Sequence, residues 1–469
     1  MEKTICAIST PIGAGGISVI RLSGTDSLNI VNKILLKPLT SPEPRKMVLK
    51  TIKTQNFCDK AMVVFFKAPF SYTGEDIVEI QCHGGIFLTN EILKELISCG
   101  ATLAENGEFT KRAFLNGKIS LDQSEGVIDL INAESESALK AGYNLLNGQL
   151  YKEITQKQDI LTDILAEIEV SLDYPEHDIE YTTLDSFKTK ISSLICDVMK
   201  ILDTSSTGMI IKNGINVALV GVPNVGKSSL MNSLLGYKRA IVTNLAGTTR
   251  DTLEESYVFG GVKVNLIDTA GIRESDNEIE KIGVNLAKEK ISSSDLILFV
   301  LDSSRKISEE EKQLFSQISN TKYIIVVNKI DCLSSEFKLE NLSEKFKNFD
   351  EKCTNSLKKN LNNSYKNIVF TSTTQNKNIE KLKENIYNLV LGGKIISGTT
   401  MITNLRHKTS LEKGLNALND ALKTLSSTEN LELVSIDLNS AYQHFGEITG
   451  TTSSEDIIDR IFSKFCLGK

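Results

Sequence analysis

Gly221-Val-Pro-Asn-Val-Gly-Lys-Ser228 concentrates more chemistry than any other stretch of this 469-residue chain. It meets the full G-x-x-x-x-G-K-[ST] spacing. The apolar run 215–220 before it reads as a buried strand, and 229–235 after it reads as a helix. Between them, the glycines let consecutive backbone N–H groups close around an anion, and the helix turns its positive end to the same place. In such a turn Lys227 reaches the β- and γ-phosphates of a nucleoside triphosphate, and the Ser228 hydroxyl ligates Mg²⁺. Asn224, Val225, Gly226 and Ser229 complete the phosphate contacts expected of the loop.

Three further patterns follow in order, each after an apolar run that reads as a strand. Asp268-Thr269-Ala270-Gly271 follows residues 262–267, where a carboxylate holds Mg²⁺ through water and a glycine backbone touches the γ-phosphate. Asn328-Lys329-Ile-Asp331 follows residues 323–327. A carboxylate at Asp331 accepts two hydrogen bonds from the N1–H and exocyclic amine of guanine. Adenine lacks that donor pair and would leave the acid unpaired. Ser372-Thr373, after 368–371, completes the wall over the base. Four such patterns at the carboxyl ends of strands are what an open α/β sheet offers a ligand. They imply a domain that binds and hydrolyses GTP.

Two features depart from a small regulatory GTPase. The residue after Gly271 is Ile272, which has no polar side-chain atom with which to orient a water. Hydrolysis therefore needs another group to hold the water and another positive charge for the transition state, since no arginine finger stands out. The Asn224 amide oxygen, inside the loop, has two uses: ligating a monovalent cation beside the phosphates, or capping the loop. Residue types alone do not choose between them. Thr243-Asn244-Leu245-Ala246-Gly247-Thr248-Thr249-Arg-Asp251 supplies a switch segment in which Thr248 or Thr249 reaches Mg²⁺.

The elements that must position these residues are legible in outline. Net charge is −6, with 41% apolar and 24% charged residues, so a global basic field for nucleic acid is excluded and any such contact needs a local patch or a partner. Eight cysteines without a C-x-x-C pair and four unclustered histidines argue against a disulfide framework or zinc site. The start lacks a signal-peptide pattern and the apolar runs are strand-length, so the expectation is a cytoplasmic protein without a membrane span. Residues 17–22, 62–66 and 77–80 read as strands and 86–98 as a helix; 124–172 and 184–202 carry the i, i+3, i+4 spacing of long amphipathic helices. Gly260-Gly261 marks a hairpin. Helical periodicity returns at 405–425 and 431–445, so the GTPase domain reads as an insertion between two halves of one helical domain. The polar segment 332–365 fits a solvated surface insertion better than a partner-binding extension.

The loop asparagine, the G-T-T-R-D run 247–251 and Asp268-Thr-Ala-Gly-Ile-Arg-Glu274 together resemble the MnmE (TrmE) family of tRNA-modification GTPases. The resemblance runs end to end. Thr10-Pro-Ile-Gly-Ala-Gly-Gly-Ile-Ser-Val-Ile-Arg21-Leu-Ser-Gly24 is similar to that family's opening. Tyr72-Thr-Gly-Glu-Asp-Ile-Val-Glu79-Ile-Gln-Cys-His-Gly-Gly85, Gly107-Glu-Phe-Thr-Lys-Arg-Ala-Phe-Leu-Asn-Gly-Lys118 and the closing Phe465-Cys-Leu-Gly-Lys469 match in the same way, with Leu467 where isoleucine is commoner.

What the resemblance implies is specific. The fold is a multidomain α/β chain: an N-terminal α+β folate-binding and dimerisation domain (1–118), an all-α helical domain in two parts (119–212 and 393–469), and an inserted Ras-like, doubly wound α/β P-loop GTPase domain (213–392). The family is potassium-activated, so K⁺ falls to Asn224, Thr243, Leu245 and Thr248, and Mg²⁺ to Ser228 and Thr249. Glu280 holds the attacking water, while Glu274, Asp276 and Glu278 read as a solvated switch helix. A tetrahydrofolate one-carbon donor (5,10-methylenetetrahydrofolate, with 5-formyltetrahydrofolate as analogue) falls to Arg21, Glu79, Lys118 and Lys469. By residue type alone Arg21 and Lys118 are surface residues. Cys466, on a tail expected to be flexible, is either a catalytic thiol or an inert one. Implied partners are a second copy, as a homodimer; the FAD-dependent protein MnmG (GidA), in a heterotetramer or larger complex; and tRNA and GTP. The rival reading is a ribosome-assembly GTPase, which would carry a basic RNA-binding module instead of the terminal Cys-Leu-Gly-Lys.

Overall fold

The computed structural model describes residues 3–173, 181–236, 254–268, 294–318, 321–332, 367–392, 400–428 and 430–469. They form two compact units: Met1–Asn132 with Gly142–Leu202 and Arg406–Lys469, and Ala133–Ala141 with Asp203–Leu405.

The first unit begins with a six-stranded sheet of β1 (Ile5–Ile8), β2 (Gly15–Ser23), β3 (Met47–Lys53), β4 (Cys58–Phe66), β5 (Ile77–Gly84) and β6 (Thr102–Leu103). The strand order is β3-β4-β5-β2-β1-β6, antiparallel except for the β1–β6 pair. Side chains alternate between the two faces, as the pleat requires. On one face Cys6, Ile8, Ile20, Leu22, Val78, Ile80 and Cys82 pack under α1 (Ser27–Ile34) and α2 (Ile86–Ser98). Burial there pushes the Cys6 thiol up to about 12 and Cys82 to about 11, so neither is a nucleophile at neutral pH. The other face packs Ile5 and Ala7 against Phe109 of α3 (Glu108–Leu115). Strand β1 escaped the periodicity because its four residues are all buried and show no alternation.

A capping box opens α4 (Leu121–Ile131): Ser120 Oγ accepts from Gln123 N and Gln123 Oε1 from Ser120 N. The continuous helical pattern over 124–172 is broken into α4, α5 (Glu136–Leu146) and α6 (Gln149–Asp173). Gly148, at φ 74, makes the second turn. Gly126 lets α4 approach the chain so closely that a Cβ would sit 2.5 Å from the Leu146 nitrogen. Helix α7 (Tyr181–Asp203) follows.

In the second unit, α8 (Ser205–Asn213), β7 (Ile215–Val220) and α9 (Lys227–Leu235) lead to the hairpin β8 (Glu254–Phe259)–β9 (Val262–Asp268). Then come β10 (Leu296–Asp302), α10 (Glu309–Ile318), β11 (Tyr323–Asn328), β12 (Ile368–Phe370) and α11 (Ile379–Leu391). The sheet order is β12-β11-β10-β7-β9-β8, parallel except for β8. Apolar layers cover both faces, which is why the central strands β10 and β11 read as unbroken apolar runs. Strand order reverses at β7, so the carboxyl end of β7 is the crevice where such a sheet takes its ligand.

The chain returns to the first unit as α12 (Leu405–Ser427), α13 (Leu431–Thr449) and α14 (Glu455–Phe462). Helix α14 is amphipathic, burying Ile458 and Phe462 four residues apart. No helix among the described residues is long and apolar enough to cross a membrane.

Candidate functional site: a nucleotide loop and a charged sheet face

Gly221 leaves β7 so close to β10 that a Cβ would meet the Val300 carbonyl at 2.5 Å. Asn224 then adopts φ 65, in the left-handed region where asparagine is among the few side chains tolerated. Gly226, at φ 94, begins α9; a Cβ there would lie 2.5 Å from Asn328 Nδ2. Only glycine fits that position, and the loop is thus drawn over the start of α9, with Ser228 and Ser229 exposed in its first turn. Lys227 is buried and donates to the Gly221 (2.8 Å) and Val222 (3.0 Å) carbonyls, which holds its ammonium inside the cradle.

The residues that end β11 are stitched to the same loop. Buried Asn328 donates to the Val225 carbonyl (3.2 Å) and accepts from Thr371 Oγ1 (3.3 Å). Lys329 donates to the Asn224 carbonyl (2.7 Å) and pairs with Asp302 (2.8 Å), which also accepts from Ser304 N and Oγ. Burial pushes the Asp302 carboxyl up, but Lys329 and Ser304 outweigh it and hold it below the usual range. Exposed Asp331 accepts from Ser372 Oγ (2.6 Å) and Thr374 Oγ1 (2.9 Å). Those hydrogen bonds lower its pKa and keep the carboxylate ionised at neutral pH. Ser372 is buried and Thr373 half-buried beside it, and Asp268 ends β9. Thr243–Thr249, Thr269–Gly271 and Glu280 lie outside the described residues, as does nearly all of the 332–365 segment. Asp302, Thr371 and Thr374 escaped the sequence reading. Asp302 ends an apolar strand as Asp268 does, and that signal was available.

The second cluster sits on the α3 face of the N-terminal sheet. Arg21 and Glu79 are directly opposed in the β2–β5 register. Both Arg21 Nε (2.9 Å) and Nη2 (2.8 Å) take the same Glu79 oxygen, Oε1. Among the described residues no donor reaches Oε2, so half of the carboxylate is available as an acceptor. The Arg21 guanidinium lies 5.6 Å from the Tyr72 ring centre and 5.7 Å from that of Phe109, within cation–π range. Its side chain is only 18% exposed, which corrects its reading as a surface cation. The reason is local: the Tyr72 and Phe109 rings and the cross-strand Glu79 carboxylate enclose the guanidinium. Tyr72 is fixed by a hydroxyl contact to Thr110 (2.9 Å), and burial raises its pKa. Buried Arg112 bridges Glu75 and Glu108, and Ser23 donates to Glu75 (2.6 Å), which pins the loop carrying Tyr72. Lys118 is exposed and donates to the Pro69 carbonyl (3.0 Å) of that loop.

The C-terminal tail is docked, contrary to the flexible tail expected. Phe462 and Phe465 are buried with Leu121. Leu467 bridges to Asn106, and Gly107 N donates to the Cys466 carbonyl (3.4 Å). Gly468, at φ 87, lies against the Ile8 carbonyl more closely than any Cβ would allow. Ala7, the neighbour of Ile8, faces Arg21 across β1–β2, so the tail ends one residue from the row Ala7–Arg21–Glu79. Cys466 is exposed and Lys469 half-buried there. Glycine and aromatic anchors, invisible to helical periodicity, fasten the tail.

A glycine-cradled lysine at the switch point of a doubly wound sheet, with an ionised aspartate just beyond β11, makes this a P-loop GTPase. A model of the GTP-binding protein TrmE N-terminus matches residues 4–118, and one of the MnmE helical domain matches 121–466, a span that encloses the nucleotide unit. The tRNA modification GTPase MnmE of Clostridioides difficile (strain 630) is 41% identical over 475 residues, and that of Carboxydothermus hydrogenoformans is 40% identical over 478; both alignments span 100% of each chain. The chain belongs to the MnmE family of tRNA modification GTPases. Among solved structures, the G domain of the T. maritima FeoB iron transporter is 31% identical, covering 37% of this chain and 98% of its own, with a TM-score of 0.25.

Proposed function

We propose that this GTPase is potassium-activated and acts in the cytoplasm as a homodimer with the FAD-dependent partner MnmG. Together they add an aminomethyl or carboxymethylaminomethyl group at C5 of the wobble uridine of certain tRNAs, using a tetrahydrofolate one-carbon unit. The observation that carries the folate half is the Arg21–Glu79 pair, with a carboxylate oxygen open and a docked Cys466–Lys469 tail beside it. Glu79 Oε2 suits the N–H and amine donors of a pterin, and Lys118 and Lys469 suit the carboxylates of its glutamate. The folate supplies the carbon when bound. Tyr72 and Arg21 orient its ring, with buried Phe109 backing the guanidinium. Cys466 is exposed, as a thiol that must reach substrate has to be.

On the nucleotide side, Lys227 and the loop amides hold the β- and γ-phosphates, Ser228 and Thr249 hold Mg²⁺, and Glu280 orients the attacking water. K⁺ falls to Asn224, Thr243, Leu245 and Thr248. When bound, the two metal ions supply positive charge to the phosphate oxygens. The fit rests on Asn224, whose backbone is held in the left-handed region and whose carbonyl is tied to Lys329, leaving the amide side chain exposed on the loop. Exposed apolar residues support self-association: the Gly15↔Gly84 pairing brings Ile12 and Ile17 beside Ile86 and Phe87. Family membership sets aside the ribosome-assembly alternative.

GTP turnover is expected to run at least ~10-fold faster in K⁺ than in Na⁺ at equal ionic strength, the scale of a transition-state charge contact. Asn224→Ala should abolish that difference while GDP still binds. Equal rates in the two salts would remove the cation from the proposal. The function itself is tested by mass spectrometry of tRNA from cells lacking the protein. Wobble uridines should lose the C5 group, and full modification in the deletion strain would refute the reading.

A further inference from the structure

A buried charge cluster joins three helices of the first unit and belongs to neither site. Asp122 and Glu125 on α4, and His407 in the first turn of α12, are all buried. Arg406, the residue at which the chain re-enters this unit, lies among them. Its Nε (3.1 Å) and Nη2 (2.7 Å) form a two-pronged pair with the Glu125 oxygens. His407 Nε2 lies 2.5 Å from Glu125 Oε2 and 2.9 Å from Arg406 Nη2. Burial pushes the Glu125 carboxyl up, but His407 and Arg406 together overcome it and hold the group well below the usual range.

The guanidinium also reaches α13. Nη1 donates to the Glu447 carbonyl and Nη2 to that of Ile448 (3.2 Å). These are last-turn carbonyls, which have no amide partner within their helix and carry its negative end. Ser453 Oγ also donates to the Glu447 carbonyl (3.0 Å). One residue past the helix, Gly450 at φ 96 turns the chain against α3 and α4, where a Cβ would lie 2.7 Å from the Phe114 ring and 2.8 Å from Leu121. From that fixed point the chain runs through α14 to the docked tail. A buried ion pair is weak evidence for stability and is better attested as a device that selects one register.

We propose that Arg406 is a positioning residue for the C-terminal tail: anchored on Glu125, its guanidinium sets the last turn of α13 and so the register in which Cys466 and Lys469 dock beside Arg21 and Glu79. A lysine keeps the charge but cannot fork onto a carboxylate and two carbonyls at once. The consequence for folate rests on the function proposed above; the docking itself does not.

The test uses the full-length protein with Arg406→Lys, read by amide hydrogen exchange, 5-formyltetrahydrofolate affinity and GTP turnover. Exchange across 455–469 should rise about tenfold or more and folate affinity should fall about tenfold, while exchange in β7, β10 and β11 and GTP turnover stay within about twofold. Glu125→Gln, which removes the anchoring charge but keeps the arginine, should give the same pattern in weaker form and serves if Arg406→Lys does not fold. Unchanged tail exchange in a folded variant overturns the proposal, as does a rise spread evenly over α4, α12 and α13, the mark of loosened packing alone. If the wild-type protein binds no folate, the one-carbon reading fails while the exchange pattern still decides this one.

Discussion

Asp331→Asn should weaken GTP binding on the order of 10³-fold and allow xanthosine triphosphate to bind in its place. The carboxylate sits with one oxygen on Ser372 Oγ and the other on Thr374 Oγ1, which fixes its plane and keeps it ionised. Guanine offers two N–H donors to such an acceptor. Asparagine replaces one acceptor oxygen with an NH₂ donor, so a donor then faces a donor. Xanthine carries a carbonyl where guanine carries the amine and so restores the match. Competition binding with GTP and xanthosine triphosphate on wild type and variant measures the exchange. A variant that keeps its GTP preference would mean that Asp331 does not read the base. Asp331 is solvent-exposed in this structure, so the discrimination depends on the bound base to cover it.

Glu79→Ala should cut 5-formyltetrahydrofolate affinity by about 10²-fold, and Glu79→Gln by nearly as much. The larger part of the loss is the charged acceptor, since hydrogen bonds to an ionised group are roughly twice as strong as neutral ones. The alanine variant also leaves Arg21 without its ion-pair partner between Tyr72 and Phe109, and a partly buried arginine so stranded reorients. Calorimetric titration, with thermal unfolding alongside to confirm the fold, separates lost binding from lost structure. Wild-type affinity in Glu79→Ala would place the folate elsewhere.

Much of the nucleotide unit was legible because its signals are local. The loop 221–228, the hairpin glycines and the strand-ending aspartates each occupy a few consecutive residues, and their backbone needs are written in residue type. The strands β10 and β11 are buried on both faces, so each shows as an unbroken apolar run, whereas Asn216 interrupts β7 and Lys263 and Asn265 interrupt β9. Short or unpatterned elements were not legible. Strand β1 is four buried residues, and the helical run over 124–172 hid two breaks, the second at Gly148 with its positive φ.

The N-terminal cluster shows the limit most clearly. Arg21 and Glu79 are 58 positions apart, and each alone is an ordinary polar residue of a strand. The β2–β5 register makes them partners, and the pinned 71–76 loop with α3 brings the aromatic rings to them. The same holds for Arg406 with Glu125, 281 positions apart, and for a tail whose glycine meets the Ile8 carbonyl. The sequence by itself determined that this chain folds a phosphate loop and reads a guanine, because those tasks depend on backbone conformations that a few adjacent residues dictate. Only the tertiary structure decided which distant charges pair, what covers them and where the tail docks, because burial and strand register come from the packing of the whole first unit.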